Sequence, residues 1–390
     1  MERKRLSSAG MQIQTSGTRR NQTGSRSSGR KRSGKNVSWL GRQLRKRPRP
    51  VWLLIVMDFI ALVAALLVFA YFHHVKPRAD VAVGLTSNRE AAGAAAAVDT
   101  ESAQTTDVMQ QNLQAVIAQI QADMQPGAEA SNDAVGYFGS KFADKFTDGE
   151  VIAEGHNYRS ANLNIAVREE REYASNIFIS DIYVKDIECL CTGFAKDQFG
   201  RNITEKLTDT ASRSGSIVCV NGDYYGVRKD GAVIRNGVLY RDDDYTESDV
   251  CILYWDGSMK TYPAGKFDAE AEMAAGAYQC WSFGPMLLDE DGEPLTEFNA
   301  IDNILGEHPR TAIGYFEPGH YCFVVIDGRS AQSEGVTMSK LARYMYLLGC
   351  KQAYNLDGGQ TSQMLWGTET INAPDHNGRA CSDIIYVRDM

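Results

Sequence analysis

Apolar and polar positions recur on two different periods along this chain, and each change of period predicts a change of element. Tyr321 to Ile326 is an unbroken apolar run of strand length that stops at Asp327-Gly328-Arg329. Met338, Leu341, Ala342, Met345 and Leu348 then recur at helical spacing. Thr337 stands where a cap is needed, and Gly349 where a helix ends in the left-handed conformation. Gln352 to Leu356 reads as a second strand and stops at Asp357-Gly358-Gly359. Strand, helix and strand in so few residues predict a βαβ unit with parallel strands and a right-handed crossover. Parallel strands end at one sheet edge, so Asp327 and Asp357 are expected to project into the same crevice.

The same patterns extend over the region from 131 to 390. Leu163 to Val167, Asn176 to Val184 and Ile217 to Val220 read as strands, with Glu205 to Arg213 helical between them. Val233 to Tyr240 is a hairpin around Asn236-Gly237, and Cys251 to Tyr262 a second one around Asp256-Gly257. A short helix is expected over Glu270 to Ala277, and strands over Trp281 to Leu288, around Arg310 to Tyr315, and over Asp383 to Val387. Hairpins combined with one βαβ unit predict an α+β domain with a mixed sheet.

Upstream the pattern changes. Residues 1–50 have almost no periodic apolar positions and read as a basic disordered tail. Val51 to Phe72 is an apolar run of 22 residues interrupted by one charge, Asp58, and is expected to be a single transmembrane helix. Residues 73–130 read as a stalk. Within it Met109, Leu113, Val116, Ile120 and Met124 define an amphipathic helix from Val108 to Met124.

Charge sharpens this division. Residues 1–50 hold 15 Lys/Arg against one acid, while the rest of the chain holds 26 against 48, inside an overall formal charge of −8. Such a basic block before an apolar span places the N-terminus in the cytoplasm and residues 131–390 outside, and makes a membrane the expected partner rather than a nucleic acid. The eight cysteines all lie at or beyond Cys189, without zinc-ligand spacing; they read as buried thiols, and an exported domain would also permit disulfides. Nothing in the pattern specifies an oligomeric state.

The usual nucleophile elbow, phosphate loop, zinc-helix and dinucleotide motifs are absent from the sequence. What remains is carboxylates, arginines, an asparagine and glycine-rich strand ends. Asn221-Gly222-Asp223-Tyr224-Tyr225, Phe283-Gly284-Pro285, Pro309-Arg310-Thr311-Ala312-Ile313-Gly314, Asp327-Gly328-Arg329 and Asn355-Leu356-Asp357-Gly358-Gly359 resemble, in order, the blocks of the phosphodiester glycosidase family. The resemblance covers roughly residues 150–390, and bacterial members often carry an exopolysaccharide label. Two departures bear on substrate identity: Gln360-Thr361-Ser362 stands where the family usually has Gly/Ser-Ser-Ser, and Asp223 where many members have a second glycine.

The resemblance implies hydrolysis of a sugar-1-phosphate diester at the anomeric C–O bond. Arg310 is then expected on the phosphate, since a planar guanidinium matches its oxygens, with Arg329 as a second candidate. Asp327 and Asp357 form the expected catalytic pair, one as base or nucleophile and the other as acid or hydroxyl anchor. Asn221, Gly222 and Asp223 are candidate substrate contacts. Gly358 and Gly359 would supply an anion-binding nest of backbone N–H groups, and Thr361 and Ser362 hydroxyl contacts. Glu334 and His308 are weaker acid/base candidates whose residue types fit structural roles equally well. No cofactor or metal is assigned. Under a competing P–O-cleaving reaction, Asp327, Asp357 and Asp223 would suit Ca²⁺ or Mg²⁺; a non-catalytic glycan-binding module is the other alternative.

Overall fold

The computed structural model describes residues 51–79, 89, 134–243 and 247–390. The chain divides into two units, 1–61 and 62–390. The described part of the first is the start of α1 (Val51–Ala70), whose side chains are described from Ile55 onward. Among the described residues no helix is long and apolar enough to cross a membrane. The basic tail and the amphipathic helix expected over Val108 to Met124 lie outside the described residues.

In the second unit the strands are β1 (Arg78–Ala79), β2 (Ile152–Glu154), β3 (Asn157–Arg159), β4 (Leu163–Glu172), β5 (Ser175–Val184), β6 (Leu190–Phe194) and β7 (Gly200–Arg201). They continue with β8 (Val218–Asn221), β9 (Val233–Arg235), β10 (Val238–Arg241), β11 (Val250–Tyr254), β12 (Met259–Tyr262) and β13 (Ala277–Trp281). The last are β14 (Arg310–Glu317), β15 (His320–Ile326), β16 (Gln352–Asn355), β17 (Met364–Trp366), β18 (Glu369–Thr370) and β19 (Asp383–Val387). The helices are α2 (Leu207–Ser214), α3 (Ala269–Ala274), α4 (Asp302–Leu305) and α5 (Met338–Leu347). Three sheets carry the fold: β16-β14-β15-β5-β4-β3-β2, β10-β9-β13-β11-β12 and β18-β17-β8-β19-β6. Within the segment expected as a stalk, β1 pairs with β7, and Arg89 makes a 2.8 Å ion pair with Asp186.

The α+β class holds, but the mixed sheet does not: the pairings within the three large sheets are antiparallel. β15, α5 and β16 do form a strand–helix–strand crossover. However, β14 lies between the two strands and pairs antiparallel with each. A crossover helix requires only that its two strands run the same way; it does not require them to be neighbours. Gly314 on β14 makes the insertion fit. A Cβ there would lie 2.6–2.7 Å from Cys322 Sγ, Cys350 Sγ and Met345 Cε. β15 and β16 still end at the edge where β14 begins, but that shared edge does not bring their two carboxylates into one crevice.

β15 is apolar without interruption because both of its faces are buried. Cys322, Val324 and Ile326 face Met338, Leu341, Ala342 and Met345 of α5. Tyr321, Phe323 and Val325 belong to the main core with Trp281, Leu253, Val220 and Ile385. Burying one such aliphatic side chain contributes about 1.5–3 kcal/mol. The hairpin signal at Asn236-Gly237 is realised with φ of 51° and 77°, the left-handed pair that a two-residue turn requires.

The stretch from 270 to 288 departs from expectation. α3 stops at Ala274, before Gly276 turns the chain at φ 93°, and β13 is over by Trp281. Beyond it, Ser282 N–H donates to Asp223 Oδ2 (3.0 Å) and Met286 N–H to Asp249 Oδ2 (3.1 Å). Carboxylates take the donors that a longer strand would have spent on a ladder. All eight cysteines are free and buried.

Candidate active site

The edge where β15 and β16 end and β14 begins opens into a cavity of about 150 Å³. Arg310, the first residue of β14, lines it and is 3% exposed. Its Nε donates to Val336 O (3.0 Å) and its Nη2 to Ile304 O (2.7 Å) and Gly306 O (2.5 Å). These partners are neutral carbonyls, and among the described residues no carboxylate pairs with Arg310. Burial, and then the charge of Arg329, hold its pKa down to about 10, so the group stays cationic at neutral pH. A buried cation without a counter-ion is costly unless an anion arrives to offset it.

Arg329 stands across the same cavity, held at φ 58° by the turn after Asp327-Gly328. Its Nη1 meets Asp375 Oδ2 at 3.1 Å and its Nη2 donates to His308 Nδ1 at 3.2 Å. A guanidinium can only donate, so Nδ1 is an acceptor, and the Nε2–H of His308 donates to Asn303 O (2.6 Å). His308 thereby positions Arg329. Asn355 lines the cavity from the end of β16. Its Nδ2 donates to Gly284 O (2.8 Å), while its buried Oδ1 has no protein partner.

Asp357, 8% exposed, lines this cavity and also a second one of about 260 Å³. The second cavity is walled by Thr204, Asp223, Tyr224, Val227 and the segment Arg379–Ser382. Burial pushes the Asp357 carboxyl up from its ordinary value. The charge of Arg379, the Thr361 hydroxyl and the Gly358 N–H pull the other way. Arg379 Nη2 lies 2.9 Å from Asp357 Oδ2. One carboxyl thus separates a cationic chamber from a chamber edged by an aromatic ring.

Asp327 does not share this crevice. It is 2% exposed and absent from the walls of both cavities. Its Oδ1 accepts from Asn372 Nδ2 (2.8 Å) and its carboxylate from Ala373 N–H (3.1 Å), which ties the end of β15 to the loop after β18. Burial raises its pKa against those hydrogen bonds. Asn221, fully buried, is spent on structure. Its Nδ2 donates to Asp357 O (2.7 Å), and its Oδ1 accepts from Thr311 Oγ1 (2.8 Å) and Gln363 N–H (3.3 Å).

Gly222 lines neither cavity; a Cβ there would lie 2.3 Å from Asp383 Oδ1. Asp223 reaches the wall of the second cavity, yet its Oδ1 pairs with Arg235 (2.9 Å), which also pairs with Asp383 (2.9 Å). Gly358 and Gly359 do line the first cavity but form no anion nest. The Gly359 N–H is spent on Pro309 O (3.0 Å). Thr361 Oγ1 donates to Gly358 O (2.7 Å). Ser362 is buried with its Oγ unpartnered and lines neither cavity. Glu334 is exposed and away from both.

Two parts of the site carry no sequence signal. Arg379 follows Gly378 in an irregular loop, and Asn303 and Ile304 belong to the four-residue α4. The largest cavity described, about 620 Å³, lies elsewhere, with Lys260 and Lys266 alongside Asp289 and Glu290. Among the described residues no group of three or more His, Cys, Asp or Glu could hold a metal ion. Asp327, Asp357 and Asp223 are committed to Asn372, Arg379 and Arg235 and are not assembled as a cation site.

Comparison with known proteins agrees with the motif reading. Residues 214–388 match the phosphodiester glycosidase family. A Bacillus subtilis (strain 168) protein, the SPbeta prophage-derived uncharacterized protein YomE, is 32% identical over 197 residues, 48% of this chain and 30% of that one. This chain therefore spans less than a third of that relative. Among solved structures, the zebrafish N-acetylglucosamine-1-phosphodiester alpha-N-acetylglucosaminidase catalytic domain, auto-inhibited by its pro-peptide, aligns with a TM-score of 0.49 at 18% identity. That alignment covers 62% of this chain and 88% of that one. A hypothetical protein from Synechocystis aligns at 0.44 and 12% identity, over 59% of this chain and 63% of its own. The family match begins just before β8 and leaves out β1–β7, a shorter span than the 150–390 read from the motifs. What this chain has in common with the phosphodiester glycosidase family is a match over residues 214–388, a little under half of its length.

Proposed function

We propose that this chain hydrolyses sugar-1-phosphate diesters at the anomeric C–O bond. The observation that carries this reading is the buried, uncompensated Arg310 facing Asp357 across a small cavity. A diester phosphate supplies the missing negative charge there, and two guanidinium groups stabilise the charge that grows on it as the sugar departs. Asn355 Oδ1, an open buried acceptor, suits a sugar hydroxyl. Asp357, raised by burial, is the proton donor for the leaving phosphate oxygen. The C–O electron pair goes to phosphate, water adds to the anomeric carbon, and its proton returns to Asp357. A single carboxyl performs both transfers in this scheme, in place of the pair that includes Asp327.

The test is release of free reducing sugar from a panel of sugar-1-phosphate diesters by the full-length chain in isotope-labelled water. Label in the sugar and none in the phosphate is the expected result. Label in the phosphate would instead support a P–O-cleaving phosphodiesterase. Absence of turnover on the whole panel would favour a glycan-binding module.

The setting is part of the proposal. The apolar run Val51 to Phe72 behind 15 basic residues supports a single-pass anchor, with the N-terminus cytoplasmic and the domain outside, acting on envelope or exopolysaccharide glycans. Protease added to intact cells should digest the domain and spare the N-terminal tail. Recovery of the protein in the soluble fraction would overturn the anchor.

A further inference from the structure

The guanidinium of Arg379 stands beside Asp357, the residue that the two cavities share. It lines the second, donates to Asp357 at 2.9 Å, and lies 5.4 Å from the centre of the Tyr224 ring. Among the described hydrogen bonds, the one to Asp357 is the only one its side chain makes. Its backbone is pinned on both sides: the N–H donates to Gln360 O (2.9 Å) and the carbonyl accepts from Gln363 Nε2 (3.1 Å). The side chain can therefore turn without moving the loop. It is 43% exposed, whereas that of Asp357 is 11% exposed. A half-exposed ion pair costs little to break. The buried partner it leaves behind is a different matter, because desolvation disfavours the carboxylate form.

The other charges around Asp357 do not replace Arg379. On β19, Asp383 is pushed up to about 7 by burial, with the charges of Asp223 and Asp357 adding to the rise against Arg235. Beside it the Cys381 thiol is raised well above its ordinary value by burial and so stays neutral. On the cavity side, Arg310 is surrounded by carbonyls and Arg329 is engaged by Asp375 and His308. A phosphate entering the first cavity would draw on both of those cations and present its remaining oxygens to Arg379, which has a single side-chain hydrogen bond to give up.

Resting on the diester reading above, we infer that Arg379 is a positioning residue that changes partner. It holds Asp357 ionised in the empty site and moves to the phosphate when the diester enters. Asp357 then takes one proton from solvent and becomes the acid that the leaving oxygen requires. Substrate binding itself loads the acid, and water entering alone does not.

Calorimetry tests this without any turnover. Dimethyl phosphate, a diester anion that does not titrate near neutrality, is bound to the full-length chain in two buffers of different ionisation enthalpy. The difference between the buffers counts protons taken up. Wild type is expected to take up a proton fraction on binding, and Asp357→Asn none. Arg379→Gln should still bind, several-fold more weakly, but without uptake, because its carboxyl is already protonated. Arg379→Lys, which keeps the charge, should retain most of the uptake. Uptake in Arg379→Gln equal to wild type would overturn the inference, since the charge of the anion alone would then suffice. Binding without uptake in wild type would overturn it too, while leaving the phosphate chamber intact. Failure of wild type to bind dimethyl phosphate, with Arg310→Met indistinguishable from it, would overturn the chamber and the inference together.

Discussion

At the end of β15 the Asp327 carboxylate accepts hydrogen bonds from Asn372 and Ala373 and lines neither cavity, while at the end of β16 the Asp357 carboxylate meets Arg379 and forms the wall between the two. Both residues precede a glycine, both follow a buried strand of one sheet, and burial pushes both upward from their ordinary value. The difference lies in what returns to each strand end. The loop after β18 folds over Asp327 and uses its oxygens as a cap. Over Asp357 the returning chain brings a half-exposed arginine, which leaves the carboxyl open to a ligand. A strand-end carboxylate is thus a capped structural tie or part of a cavity wall according to a loop some distance along the chain.

The largest effect should follow from Asp357→Asn. Loss of a general acid reduces turnover by about 10²- to 10⁴-fold, with an unchanged melting curve, as followed by sugar release and circular dichroism. Next comes Arg310→Met. Charge-assisted hydrogen bonds of about 1.5–3 kcal/mol correspond to a loss of about 10- to 100-fold in kcat/KM. Some loss of melting temperature should accompany it, because the carbonyls of Ile304 and Gly306 lose their guanidinium donor and that of Val336 keeps only the His308 N–H.

Asp327→Ala should invert the first result. About 1–3 kcal/mol of stability is lost, because the buried Asn372 amide loses one of its two acceptors and the Ala373 N–H loses its partner, while the protein that remains folded keeps most of its turnover. A loss of turnover as large as that of Asp357→Asn, at full stability, would erase the contrast between the two ends.

The same carboxyl gives a pH signature. Its folded pKa is raised, so the folded state binds its proton more tightly than the unfolded chain. Its contribution to stability is full below the ordinary carboxyl value of about 3.9 and is lost as pH climbs through the raised value. Asp327→Asn should remove that share and flatten the denaturant-midpoint profile in this window. The smallest effect is expected of Arg329→Gln. Its side chain is 41% exposed and already paired with Asp375, so a few-fold rise in KM with little change in stability should be seen.

Much of this arrangement is legible in the residues. The alternation in β5, the helical spacing in α5 with its Thr337 cap, and the Asn236-Gly237 turn are local signals, because backbone geometry and nearest neighbours determine them. Arg310 and Asp357 could be named because short motifs place them at strand ends. Asn221 and Asp223 sit in an equally suggestive motif, yet their polar atoms are taken by Thr311, Gln363, Ser282 and Arg235. Those partners come from distant parts of the chain, and no local pattern announces them.

The sequence by itself determined the α+β class, the order of most elements, the family match over residues 214–388, and the sheet edge that the cavity opens on. Periodicity and short motifs are properties of neighbouring residues, and they survive without knowledge of the fold. Only the tertiary structure decided that β14 inserts between β15 and β16, that Asp327 is capped while Asp357 is open, and that Arg379 attends the latter. Each of these depends on which distant segment fills the remaining hydrogen-bond positions of a buried polar group. That outcome is a matter of packing in three dimensions and leaves no periodic trace along the chain.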